Sequence, residues 1–191
     1  MLGPRPMAVR STAVLAAVLT AVLTLVGAPV MPSAVAQAAT PAAPPPAAPR
    51  VAAPPWCTAG DLHVSYHATG AATSHRFGRI VLTNVSDHPC RTGGYGGLSY
   101  VGRHGNQVGA AADRDPGTVR LVLLRPGQRV HSEVSETVAG VFPRVTCRPA
   151  PVRGFRVFVP DSTTSQFVEH HTTGCRNASV HLISHKPYRR P

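Results

Sequence analysis

From Trp56 onward the apolar residues of this chain recur at every second position, and that period restricts the fold more than any other feature. Leu62, Val64 and Tyr66 alternate with His63, Ser65 and His67, and Val119, Leu121 and Leu123 alternate with Arg120 and Val122. Val130 and Val134 alternate with His131 and Glu133, Phe155, Val157 and Val159 with Arg156 and Phe158, and Val180 and Leu182 with His181 and Ile183. Side chains of an extended strand point to opposite faces in turn, whereas a helix needs apolar residues three or four apart. The run Ile80-Val81-Leu82 reads as a strand covered on both faces. Strands stop at Gly, Pro, Asn or Asp, as at Arg125-Pro126-Gly127-Gln128. Short, turn-punctuated strands without crossover helices, about seven to eight of them, predict an all-β antiparallel sandwich. Closure into a barrel is the alternative.

The first forty residues follow another logic. Arg5 and Arg10 precede an uncharged stretch from Thr12 to Val30, which leads to the small-residue exit Ala36-Gln37-Ala38. A basic start, an apolar middle and a small-x-small exit predict a signal peptide over residues 1–38, cut between Ala38 and Ala39. A retained membrane anchor is the alternative, since the run is long enough to span, although Gly27 and Pro29 interrupt it. Residues 39–55, ATPAAPPPAAPRVAAPP, read as a semi-extended Ala/Pro-rich linker. The folded domain is expected at 56–187, followed by a basic tail at 188–191.

Charge narrows the partners. There are 19 Lys+Arg against 8 Asp+Glu, for a formal charge of +11, which falls to +9 when Arg5 and Arg10 leave with the signal. Charged residues are only 14% of the chain, too few for a coiled coil or a long solvated helix. The arginines are dispersed and aromatics are 5%, whereas nucleic-acid binders cluster their charge and interleave stacking rings. The expected partner is a cell-envelope polymer, an acidic lipid surface or a secreted or surface protein, not nucleic acid. A monomer without cofactor or lasting membrane span is expected.

Cys57, Cys90, Cys147 and Cys175 form an even set without a Cys-x-x-Cys pair, so zinc and redox motifs are disfavoured. In an exported chain they predict two disulfides. Of three possible pairings, Cys57 with Cys90 and Cys147 with Cys175 link neighbouring segments and are preferred.

The segment Leu82-Thr83-Asn84-Val85-Ser86-Asp87-His88-Pro89-Cys90-Arg91-Thr92-Gly93-Gly94-Tyr95-Gly96-Gly97-Leu98 resembles the signature LTN-x-S-x-x-P-C-x-x-x-G-Y-P-G of a secreted actinobacterial domain of unknown function, catalogued as number 4232. Cys57-x-x-x-Asp61-Leu62, Leu124-Arg125-Pro126-Gly127, Cys147-Arg148-Pro149 and Cys175 match elsewhere, so the likeness runs from Trp56 to about Ile183. Gly96 departs from the pattern, standing where the family has proline, and is expected to loosen its loop. The resemblance implies an immunoglobulin-like β-sandwich, secreted or membrane-anchored, with no assigned activity or catalytic residues. The glycine cluster could instead cradle phosphate, but Leu98-Ser99-Tyr100-Val101 after it reads as a strand rather than a helix N-terminus.

Two function classes remain. Without a Gly-x-Ser-x-Gly elbow, and with Glu133 and Glu136 three apart on a strand, hydrolase chemistry is not expected. The first class is a secreted, non-catalytic binding module. The second is an extracellular zinc or copper protein using surface histidines. His63 and His67 lie about 13 Å apart on a strand, too far to share an ion unaided, but a cross-strand pairing could bring either near His181. Ten histidines would also raise the positive charge as the medium acidifies.

Overall fold

The computed structural model describes residues 52–191; the expected signal peptide, its cleavage site at Ala38 and Ala39 and most of the linker lie outside the described residues. Among the described residues eleven strands follow one another: β1 (Leu62–Ala72), β2 (His75–Asn84), β3 (Cys90–Gly93), β4 (Gly97–Val101), β5 (Gln107–Ala111), β6 (Asp113–Arg114), β7 (Leu121–Leu124), β8 (Arg129–Thr137), β9 (Pro149–Phe158), β10 (Ser165–Cys175) and β11 (Ile183–His185). Among the described residues, helical structure is limited to a 3-10 turn at Ala139–Val141 and the single turn α1 (Arg144–Cys147). The count exceeds the expected seven to eight because β3, β5 and β6 are two to five residues long, too short for an alternation to register, and β10 buries no large apolar side chain that would mark a period.

The strands form a five-stranded sheet in the order β1-β2-β8-β11-β6, a four-stranded sheet β10-β9-β4-β5, and a two-stranded sheet β3-β7. Val64, Ile80, Leu82, Val130 and Val134 from the first sheet meet Leu98, Tyr100, Val152, Phe155 and Val157 from the second in one core. Two pleated layers each bury one face against the other, which is the sandwich the period predicts. One ladder departs from the antiparallel rule: β6 pairs parallel with β11 through Ser184↔Asp113 and His185↔Arg114. Asp113 and Arg114 thus form an edge strand of the five-stranded sheet.

Disulfides join Cys57 to Cys90 and Cys147 to Cys175, the pairing that neighbouring segments favour. Closing loops of 33 and 28 residues should each contribute about 3–4 kcal/mol through the unfolded chain. The first anchors the small sheet; the second ties the end of α1 to the end of β10. All strands, the core and both bonds fall within the unit Pro49–Pro191, which thus carries what an independently folding domain needs.

Two expectations need correction. Residues 188–191 are not a tail. Tyr188 is 2% exposed and pairs with Gly94, and Arg189 pairs with His131 on β8. An aromatic side chain in a charged terminus found a pocket, and its backbone was carried into the sheet. Val119, Leu121 and Leu123 do not face the core either. They are 59%, 58% and 40% exposed, while Val122 and Leu124 are buried. The run Leu121-Val122-Leu123-Leu124 is apolar on both faces, so its period cannot choose a side. The choice falls to β3, where Cys90 and Thr92 point inward opposite Leu124 and Val122. A shift of one residue would have reversed it.

Candidate binding groove

Asn84 organises the region around the small sheet. It is fully buried; its side-chain amide donates to the carbonyls of His88 (2.9 Å) and Leu124 (3.0 Å), and its Oδ1 accepts from the backbone and hydroxyl of Ser86 (2.9 and 2.7 Å). Its backbone pairs with Gln128 and Gly127 across the Arg125–Gln128 turn. Asp61 accepts from the backbone and hydroxyl of Thr58 (2.7 and 2.8 Å), and its carbonyl takes the Val85 amide. The donated backbone bond from Thr58, against a smaller opposing effect of burial, holds the Asp61 carboxyl below the usual range. Asn84 and Ser86 thus clamp the strand exit of β2 to β7 at Leu124 and to the turn at His88 that leads into β3, while Asp61 ties it to the residues before β1. Gly96 does not loosen its loop: a Cβ there would come within 2.2 Å of the Phe158 carbonyl, so the backbones approach too closely for any side chain.

On the outer face of that sheet, residues in register stand in rows. Trp56 bridges Arg91, and Arg91 faces Leu123; Gly93 faces Leu121. The Arg91 guanidinium lies over the Trp56 ring, 4.9 Å from its centroid, a cation-π contact. The backbone of Arg91 bonds outward to Pro55 and Cys57, so its cross-strand pair with Leu123 is of the non-hydrogen-bonded kind. Leu121 and Leu123 consequently turn their peptide groups away from β3, making β7 an open edge. Arg190 reaches this edge and donates to the Leu123 carbonyl at 2.8 Å.

Between β7 and the C-terminal segment runs an open groove of about 600 Å³. Leu121, Leu123, Pro116 and Pro187 supply apolar walls, and Arg120, Lys186, Arg189 and Arg190 supply four cations, with no acidic residue in the lining. Lys186 (3.2 Å) and Arg189 are both paired with Glu133, which stands on β8 beside the groove. Burial works against ionisation of Glu133, but these two cations outweigh it and hold the carboxyl below its usual range. Among the described residues, Arg120 and Arg190 make no ion pair.

A second polar centre lies inside the sandwich. Glu136 is 2% exposed; its carboxylate accepts from the hydroxyls of Tyr66 (3.0 Å) and Tyr100 (2.5 Å) and lies 2.9 Å from His170 Nε2. His170 stacks on Phe155, ring centroids 4.7 Å apart. Tyr66 fits because Gly78 leaves its place: a Cβ there would sit 2.4 Å from the ring. Burial raises the Glu136 carboxyl, yet the bonds from His170 and the tyrosines more than offset it, so its pKa is lowered. The same burial and the adjacent carboxylate push both tyrosines up. Nothing in the sequence flags this centre, because its members come from β8, β1, β4 and β10. Glu133 and Glu136 do fall on opposite faces, as a three-residue spacing on a strand dictates.

The histidines do not assemble. His63 and His67 are exposed on β1, at one edge of the five-stranded sheet; β2 and β8 separate them from β11, and the exposed His181 just before it bonds Asp113 at 2.8 Å. The cross-strand meeting of His63 or His67 with His181 is thereby ruled out by strand order. Among the described residues no three His, Cys, Asp or Glu side chains converge as metal ligands would. His131 and His185 are buried, and burial together with nearby arginines lowers the pKa of each.

The model of the family described as Domain of unknown function (DUF4232) matches residues 57–187, from the first disulfide cysteine past the last strand. The chain belongs to this family. No curated protein and no solved structure matches it. The family's motif residues here are architectural: Asn84, Cys90 and the Gly127 turn position the small sheet, and the groove is built on that sheet's free edge.

Proposed function

We propose that this chain is an exported, non-catalytic binding module whose groove along β7 takes an anionic component of the cell envelope. The observation that carries the reading is the groove lining: four cations, apolar walls and no acid. A cationic concavity with low-dielectric walls concentrates anionic ligands. Two disulfides favour an oxidising compartment, and no described helix is long and apolar enough to cross a membrane. The non-catalytic reading draws support from the one serine–histidine contact in the interior among the described residues. Ser132 Oγ lies 3.1 Å from His185 Nδ1, but the serine is fully buried and donates to the Lys186 carbonyl at 2.5 Å. A nucleophile needs an accessible hydroxyl facing a free base.

The test is a pull-down of residues 49–191 on isolated cell envelope at low and high salt. Retention should fall as salt rises and fall again in Arg120→Glu/Arg190→Glu, whose side chains lie on the surface. Retention indifferent to both would overturn the reading. Export itself is read from the mature N-terminus, expected at Ala39 in protein recovered from outside the cell.

A further inference from the structure

We infer that the outer face of the small sheet is a membrane-docking surface, which seats the module on the headgroup and upper acyl region of an anionic phospholipid layer. This rests on the anionic reading of the groove and names its ligand. A groove for a purely hydrophilic polyanion would need cations and hydrogen-bond donors. This one places two large aliphatic side chains, Leu121 and Leu123, in the open beside them.

The arrangement matches the layers of a lipid interface. Trp56, 37% exposed and the only tryptophan of the chain, stands in the same cross-strand row as Leu123. Tryptophan favours the headgroup level, where its ring meets acyl chain and its N–H meets water. Arg91, stacked on that ring and in register with Leu123, and Arg190, bonded to the Leu123 carbonyl, put guanidinium groups next to the aliphatic side chains. Apolar side chains enter while arginines stay with phosphate, the pattern of proteins that lie on a membrane without crossing it. An acidic peptide added to the β7 edge would compete for the same cations. It would, however, have to displace Arg190 from the Leu123 carbonyl, and it would leave the Trp56 end of the row uncovered.

The sole tryptophan makes the experiment direct. Residues 49–191 are titrated with phosphatidylcholine vesicles, with vesicles carrying about one-third phosphatidylglycerol, and with soluble poly(glycerol phosphate). Anionic vesicles should shift Trp56 emission to the blue, and bromine on the upper acyl carbons should quench it. Leu121→Ser/Leu123→Ser should weaken partitioning at least tenfold, and Arg190→Ala should weaken it about fivefold. Both variants should keep the parent circular dichroism and melting temperature. Salt-sensitive vesicle binding with unmoved Trp56 emission and no loss in the double leucine variant would overturn docking but leave the anionic reading standing. So would poly(glycerol phosphate) bound as tightly as vesicles. Binding to neither probe would overturn both.

Discussion

The interior of the sandwich and the outer face of the small sheet depart from the rule of polar outside and apolar inside, in opposite directions. Glu136 carries a carboxylate into the core; Leu121 and Leu123 carry leucine side chains into solvent. The first is tolerated because three side chains from three other strands converge on it, and a buried charge costs little only when its hydrogen bonds are met. The second has no partner among the described residues. The difference teaches where to look for structure and where for function. A polar group that is buried and satisfied is part of the scaffold, whereas apolar surface left open beside unpaired arginines is available for a ligand.

Removing each feature should separate them sharply. Glu136→Ala leaves two tyrosine hydroxyls and His170 without their acceptor and should cost about 3–5 kcal/mol, measured by urea unfolding at neutral pH. Leu121→Ser and Leu123→Ser should each stay within about 0.5 kcal/mol of the parent. Comparable losses at both places would erase the contrast.

Cysteine pairs come next in size. Cys57→Ser/Cys90→Ser and Cys147→Ser/Cys175→Ser should each lower stability by about 3 kcal/mol. Only the first should move Trp56 emission, since that bond holds the small sheet. An equal spectral change from both would mean that the sheet is not a separate outpost.

Acid should act first on the interior, with the depressed carboxyls of Asp61 and Glu133 adding to the loss only at lower pH. His185 and His131 have folded pKa values depressed below 6.5, so the unfolded chain binds protons first and stability falls as pH drops below about 6.5. Glu136 is depressed below 4.5 in the fold, so its contribution is complete above 4.5 and is lost as pH falls through the lower folded value. Both effects share a sign. The melting temperature should therefore be highest between neutral pH and about 10, above which the raised tyrosines reverse the trend, and decline in two stages on acidification. His185→Gln should flatten the upper stage, and an unchanged profile in that variant would contradict the assignment. The smallest effect belongs to the surface histidines: His63→Ala and His181→Ala should change stability by no more than about 0.5 kcal/mol, with no shift on adding zinc.

Much of the sandwich is legible from residue order alone. Val130 and Val134 announce an inward face because their neighbours Arg129, His131, Glu133 and Ser135 are polar, and Phe155 and Val157 another, with Arg156 between them fixing the parity. The same method fails at Leu121-Val122-Leu123-Leu124, where both parities are apolar. It also misses Tyr188, whose lone aromatic ring is masked by the charges around it. The candidate groove was illegible for a related reason: Arg120, Lys186 and Arg190 look like scattered charges until the C-terminal segment is laid beside β7.

Residue order by itself determined an all-β chain of alternating strands, the turns that divide them and the favoured pairing of four cysteines, because these depend on local geometry and chain separation. Tertiary structure alone decided which face of β7 meets water, which strands surround Glu136 and where the last residues lie. Those outcomes are set by partners about thirty residues away or more, and no short-range pattern encodes which distant strand will arrive.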